Sequence, residues 1–112
     1  MAEATPKKLE EYLTADGQSP FIEWFDKIRD APARARIRVR LDRLSLGNFG
    51  DSKSVGGVVH ELRLDYGPGS RVYFAQHGHQ IILLLWGGTK CTQQQGIQLA
   101  QEYWNDFRSR IS

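Results

Sequence analysis

Three cationic side chains and one phenol, Arg63, Arg71, Lys90 and Tyr73, fall within one strand-rich stretch. The chemistry open to such a set is electrostatic. A guanidinium binds phosphate oxygens through two parallel hydrogen bonds, and fixed cations stabilise charge as it develops on those oxygens. Each residue also has an ordinary reading. Arg63 and Arg71 have Glu61 and Asp65 within reach as hairpin ion pairs, worth at most about 1 kcal/mol when exposed. Tyr73 suits a strand in any case, and Lys90 follows Gly87-Gly88-Thr89 as a solvated loop lysine would. Metal chemistry finds less support. His77 and His79 flank Gly78 like a hairpin tip without a third ligand, and His60 falls on the apolar side of its segment. Neither a metal site nor a cofactor is expected.

The elements that must position these residues lie between Val58 and Lys90. Val58–Asp65, Arg71–His77 and Gln80–Trp86 are strand-length apolar runs broken by Tyr66-Gly67-Pro68-Gly69-Ser70 and by Gly78. The pattern predicts a three-stranded antiparallel meander. A period of two puts Leu62 and Leu64 on one face with Val72 and Phe74, and Glu61, Arg63, Asp65, Arg71 and Tyr73 on the other. Keeping apolar opposite apolar suggests a five-residue loop, Tyr66 to Ser70, that pairs Asp65 with Arg71 and Arg63 with Tyr73. The third strand is apolar on both faces, so it should lie inside the sheet.

Around the meander the chain alternates in kind. Residues 1–7 are polar and expected to fray; Leu9–Thr14 is read as a strand that joins the sheet. Ser19-Pro20 is a helix start, with Phe21, Trp24, Phe25 and Ile28 on one face. Asp30-Ala31-Pro32 opens a second helix, Pro32 to about Leu46, with Ala33, Ile37, Leu41 and Leu44 as its buried stripe. Arg34, Arg36, Arg38, Arg40 and Arg43 cover the rest of that helix. They make either a solvated face or a surface for polyanionic phosphate. Gly47–Lys53 reads as a loop. Thr92-Gln93-Gln94-Gln95 has the form of a capping box, and Ala100, Tyr103, Trp104, Phe107 and Ile111 follow at helical spacing. This last helix should cover the apolar back of the sheet or part of a partner. The order strand, helix, helix, three strands, helix predicts an α+β domain with a small, mostly antiparallel sheet.

At 112 residues, with 40% hydrophobic and 25% charged side chains, the chain suits one soluble domain spanning residues 1–112. A net charge of +2 implies no nucleic-acid partner by itself. Cys91 is the only cysteine, which excludes an intramolecular disulfide. There is no signal-like apolar core and no membrane-length run, so a cytoplasmic chain without membrane partners is expected.

Several blocks, in order, resemble the RelE/ParE superfamily of toxins, in the HigB-like group known as addiction-module killer proteins. They are Phe21-Ile22-Glu23-Trp24, the arginine-rich helix ending Arg43-Leu44, Gly47–Lys53, and Glu61-Leu62-Arg63. Gly67–Phe74 and Leu84–Lys90, running on to Gln93, complete the set. Departures are Ser70 where the family often has Tyr, Thr89 where it tends to Asp, Cys91 where it tends to Ser, and Gly96 where it usually has Asp.

The resemblance implies a RelE-like fold and the toxin of a type II toxin-antitoxin module: a metal-independent endoribonuclease that cleaves mRNA on the ribosome. A cognate antitoxin, expected to be a helix-turn-helix protein, would hold it inactive. On matching positions Arg71 would clamp the phosphate and Arg63 share its charge. Lys90 would stabilise the oxyanion or move a proton, and Tyr73 would stack or transfer a proton. Arg34, Arg38, Arg40 and Lys53 would hold RNA. Two other classes share the pattern: a ParE-like gyrase poison that acts by binding, and an inactive antitoxin- or RNA-binding homologue.

Overall fold

A computed structural model describes residues 6–67 and 69–111. Residues 1–5, most of the segment expected to fray, and Pro68 of the hairpin loop lie outside the described residues. Lys7 is tied down at both ends, its N–H donating to the Ser45 carbonyl (2.6 Å) and its Nζ to that of His79 (2.7 Å). β1 (Lys8–Glu11) is followed by α1 (Pro20–Asp26) and α2 (Ala31–Ser45). Both helices begin as the sequence dictates: Ser19 Oγ accepts from Ile22 N (3.2 Å) with Pro20 at the first position, and Asp30 Oδ1 accepts from Ala33 N (3.3 Å). β2 (Ser52–Gly56), β3 (Val59–Leu64), β4 (Ser70–His77) and β5 (Ile81–Thr89) follow, and a 3₁₀ turn (Lys90–Thr92) leads into α3 (Gln93–Ile111). The sheet order is β1-β5-β4-β3-β2; β1 runs parallel to β5 and the other pairs are antiparallel. The protein is therefore α+β with a five-stranded mixed sheet.

β2 was not expected, because Gly47–Lys53 reads as loop. Its residues are largely exposed and polar, so no hydrophobic alternation marks it. What makes it a strand is the free edge of β3, whose backbone groups need partners.

Both faces of the sheet are buried, and here the structure corrects the expectation for the last helix. Leu62, Leu64, Val72, Phe74, Ile82 and Leu84 pack against Phe21 and Phe25 of α1 and Ile37 and Leu44 of α2. The helical hairpin thus fills the apolar back. α3 lies on the opposite face, where Ala100 and Trp104 cover Val59, Tyr73, Ala75, Leu83 and Leu85. That face is apolar over most of its length, with Glu61, Arg63 and Arg71 gathered at one end. A bulge in β5 adds to this, since Tyr73 pairs with Trp86 and Phe74 with Leu84, leaving Leu85 as an extra residue on the α3 side.

The hairpin register also differs. Leu64 pairs with Ser70, Arg63 with Arg71 and Glu61 with Tyr73, so the five-residue loop is Asp65–Gly69 and not Tyr66–Ser70. The expected Asp65–Arg71 and Arg63–Tyr73 pairs do not form. A shift of two keeps every side chain on its face, so burial cannot choose between the registers. The turn decides: Gly69 adopts φ +79°, its N–H donates to Tyr66 O (3.0 Å), and its carbonyl accepts from Lys90 N (2.8 Å).

Candidate anion-binding site

Glu61, absent from the expected site, is its centre. The carboxylate is fully buried between the sheet and the start of α3. Such a charge is tolerable only when partners replace its water. Four side chains do so. Arg63 Nε donates to Oε1 (3.1 Å), Tyr73 Oη donates to Oε2 (3.1 Å), Gln93 Nε2 lies 3.0 Å from both oxygens, and Arg71 Nε stands at ionic distance, 3.9 Å. The pairing of Glu61 with both arginines matches the ordinary reading of them; Asp65 takes no part.

The register places Arg63 and Arg71 directly opposite each other. Like charges so placed repel, and the carboxylate beneath them offsets this. Glu61 approaches both through Nε, which leaves the guanidinium ends to point elsewhere. Arg71 Nη1 donates to Ser70 O (3.1 Å), and Arg71 Nε is buried without a hydrogen-bond partner, 3.9 Å being too long for one. Among the described residues the terminal nitrogens of Arg63 make no hydrogen bond. Lys90 reaches the same end of the sheet. A methyl placed on Gly69 would lie 3.4 Å from Lys90 Cβ and 3.6 Å from Arg71 Nη1, so Gly69 sits between the two side chains. Thr92 fixes this turn: its Oγ1 accepts from Thr89 N (3.2 Å). The hydroxyl therefore reaches back across the 3₁₀ turn, and the expected Thr92–Gln95 box is not what forms. Three cations thus meet at one end of the sheet, Arg71 buried and Lys90 exposed, a set that suits an anion.

Tyr73 is brought to this cluster but is wholly buried. Burial, with Glu61 beside it, pushes its phenol well above the usual 10. In this position it cannot stack on a base, and its hydroxyl is spent on the carboxylate. Gly96 explains how α3 closes over it, since a Cβ there would come within 2.7 Å of the Tyr73 hydroxyl. The glycine makes room for the helix against the sheet, and Trp86 Nε1 donates to its carbonyl (3.0 Å).

The remaining expected RNA contacts are scattered. Lys53 is exposed on the edge strand, in register with Glu61. Arg40 is committed to backbone, donating to Arg63 O (2.7 Å) and Asp51 O (3.2 Å). Arg38 lies over the Phe25 ring (5.2 Å), and Arg34, one turn away, has its Nε buried. Both are on the back layer, apart from the cluster. Arg36 and Arg43 share Arg40's stripe by their i, i+4, i+7 spacing, a signal legible in the sequence. His60, half-buried, stacks on Phe74 (5.4 Å between centroids). Among the described residues no three His, Cys, Asp or Glu side chains converge as a metal site, and no helix is long and apolar enough to cross a membrane.

Fold and site together define a small α+β protein with a carboxylate-braced basic cradle at one end of its sheet. The sequence is 43% identical over 81 residues to an uncharacterized protein of Haemophilus influenzae (strain Rd), covering 72% of this chain and 82% of that relative. The chain belongs to the same family as that protein. No family model matches it.

Proposed function

We propose that this protein is a RelE/ParE-superfamily toxin of the HigB-like group, acting in the cytoplasm as a metal-independent, ribosome-dependent mRNA endonuclease. The observation that supports this reading best is the gathering of Arg63, Arg71 and Lys90 at one end of the sheet, with Arg71 Nε making no hydrogen bond. In the reaction the ribose 2′-oxygen attacks the adjacent phosphorus and loses its proton. The P–O5′ bond breaks, leaving a 2′,3′-cyclic phosphate and a 5′-hydroxyl that takes up a proton. Arg71 and Arg63 meet the non-bridging oxygens, where negative charge grows. Lys90, exposed at the rim, stabilises the oxyanion or delivers the proton to the leaving oxygen. Glu61 and Gln93 position the arginines, and Tyr73 braces Glu61 without touching RNA. A cognate antitoxin, proposed as a helix-turn-helix protein, silences the toxin by covering this basic end.

Primer extension on a reporter transcript after induction, beside a plasmid supercoiling assay, tests the reading. New 5′ ends inside translated codons with supercoiling intact are expected. Intact transcripts with gyrase trapped on DNA would replace the nuclease by a gyrase poison.

A further inference from the structure

On the far side of β3 from Glu61, a groove of about 520 Å³ opens between α2 and the Asp65–Gly69 loop. Its walls are apolar, from Val39, Leu64 and Tyr66, and Val39 is 47% exposed, high for a valine with nothing over it. Arg36, Arg43 and Asp65 supply its polar groups. Arg36 lies over the Tyr66 ring, Cζ 4.3 Å from the centroid, which sets a guanidinium against an aromatic face at the mouth. Among the described residues the side chains of Asp65 and Arg43 form no hydrogen bond or ion pair, although they line one groove. Arg40, in its wall, donates to the backbone carbonyl of Arg63, whose side chain belongs to the cradle.

We infer that this groove is a guanine-binding subsite for the single-stranded RNA whose phosphate occupies the cradle. The inference rests on the proposed reading of Arg63, Arg71 and Lys90 for its substrate. An aromatic–guanidinium pair beside apolar walls suits a base, because every base has a stacking face. The unpaired groups then select. The Watson–Crick edge of guanine presents two adjacent N–H donors, which match the two oxygens of the Asp65 carboxylate, while its O6 and N7 accept from arginine. Uracil presents one such donor between acceptors, and neither adenine nor cytosine presents an adjacent N–H pair. The sheet-end loop thus serves both sites, Gly69 lying beside the cradle and Asp65-Tyr66 reading the base.

The test uses the full chain and fluorescein-labelled 2′-O-methyl pentamers, UUGUU, UUAUU, UUCUU and UUUUU, which lack the attacking hydroxyl. Anisotropy titrations should show UUGUU bound several-fold more tightly than the others. Asp65→Asn, an exposed loop change, should remove that preference and leave affinity for UUUUU unaltered. Tyr66→Ala should weaken UUGUU by roughly 5- to 100-fold, the range for loss of one stacked base. Arg71→Ala should weaken all four alike and keep the preference. Equal affinities in the unaltered protein, or a preference that survives Asp65→Asn, overturn the guanine subsite and leave the cradle reading standing. Should no pentamer bind, chemical shifts on titrating guanosine 5′-monophosphate decide. Shifts confined to Val39, Asp65 and Tyr66 keep the subsite and remove the cradle reading, and their absence removes both.

Discussion

At the scale of single residues the protein spends a buried carboxylate on orientation. Three donors and the nearby Arg71 guanidinium offset the desolvation of Glu61, so removing it strands two arginines. Glu61→Ala should cost about 3–5 kcal/mol, the usual cost of breaking a buried pair, read as a lower urea midpoint; Glu61→Gln, still able to accept from Tyr73, should cost less. Arg71→Ala leaves Glu61 with three partners, so the fold should hold. Cleavage in cells should fall by about 10²–10³, as for loss of one preorganised donor, and growth arrest should cease. Arrest that survives this change would sink the phosphate-clamp role. His60 gives a pH dependence of known sign. Burial holds its imidazole below the usual 6.5, so the folded state prefers the neutral ring. Its contribution is complete above pH 6.5 and is lost as the pH falls below that value. Urea midpoints at pH 7.5 and 5.5 should therefore diverge more for the natural protein than for His60→Phe.

At the scale of elements, the helix starts at Ser19-Pro20 and Asp30 are legible because a cap is a local contract between neighbours in sequence. β2 is not, since its strand character comes from β3. Gly96 shows the same division. Locally it weakens a helix by about 1 kcal/mol relative to alanine, yet a Cβ there meets the Tyr73 hydroxyl at 2.7 Å. Gly96→Ala should therefore destabilise despite its better propensity, by about 1–3 kcal/mol as for overpacked cores. Thermal unfolding checks this; a higher melting temperature would show that α3 has slack over the sheet.

Across the whole molecule, three tyrosines tie layers together. Tyr12, at the end of β1, donates to Asp106 of α3 (2.6 Å) and stacks on Tyr103 (4.9 Å), while Arg110 bonds the same carboxylate and the Leu13 carbonyl. Burial, with Asp106 alongside, pushes the Tyr12 phenol up to about 12, and burial also raises Tyr73 and Tyr103. Folded values above the unfolded value of 10 mean stability that is complete below pH 10 and lost as the pH rises beyond it. Phenolate absorbance at 295 nm should rise late and together with loss of near-ultraviolet dichroism. Early titration of these rings with the fold intact would contradict their burial.

Some of this was settled by sequence alone, namely what depends on neighbours along the chain. The α+β class, the capped helices, the strand periodicity, and the placing of Arg63 and Arg71 on one face all follow from spacing. The cradle's cations could be named from residue type and resemblance. Tertiary structure decided what spacing leaves degenerate. Registers two residues apart bury the same side chains, so the turn at Gly69 chose which arginine faces which. Either apolar face could have taken the last helix, and the α1–α2 hairpin took the back, leaving α3 the face that holds Glu61. That choice buried Tyr73 and made Glu61 the brace of the site. A carboxylate's role depends on how much water it keeps, and only the packing of distant elements sets that.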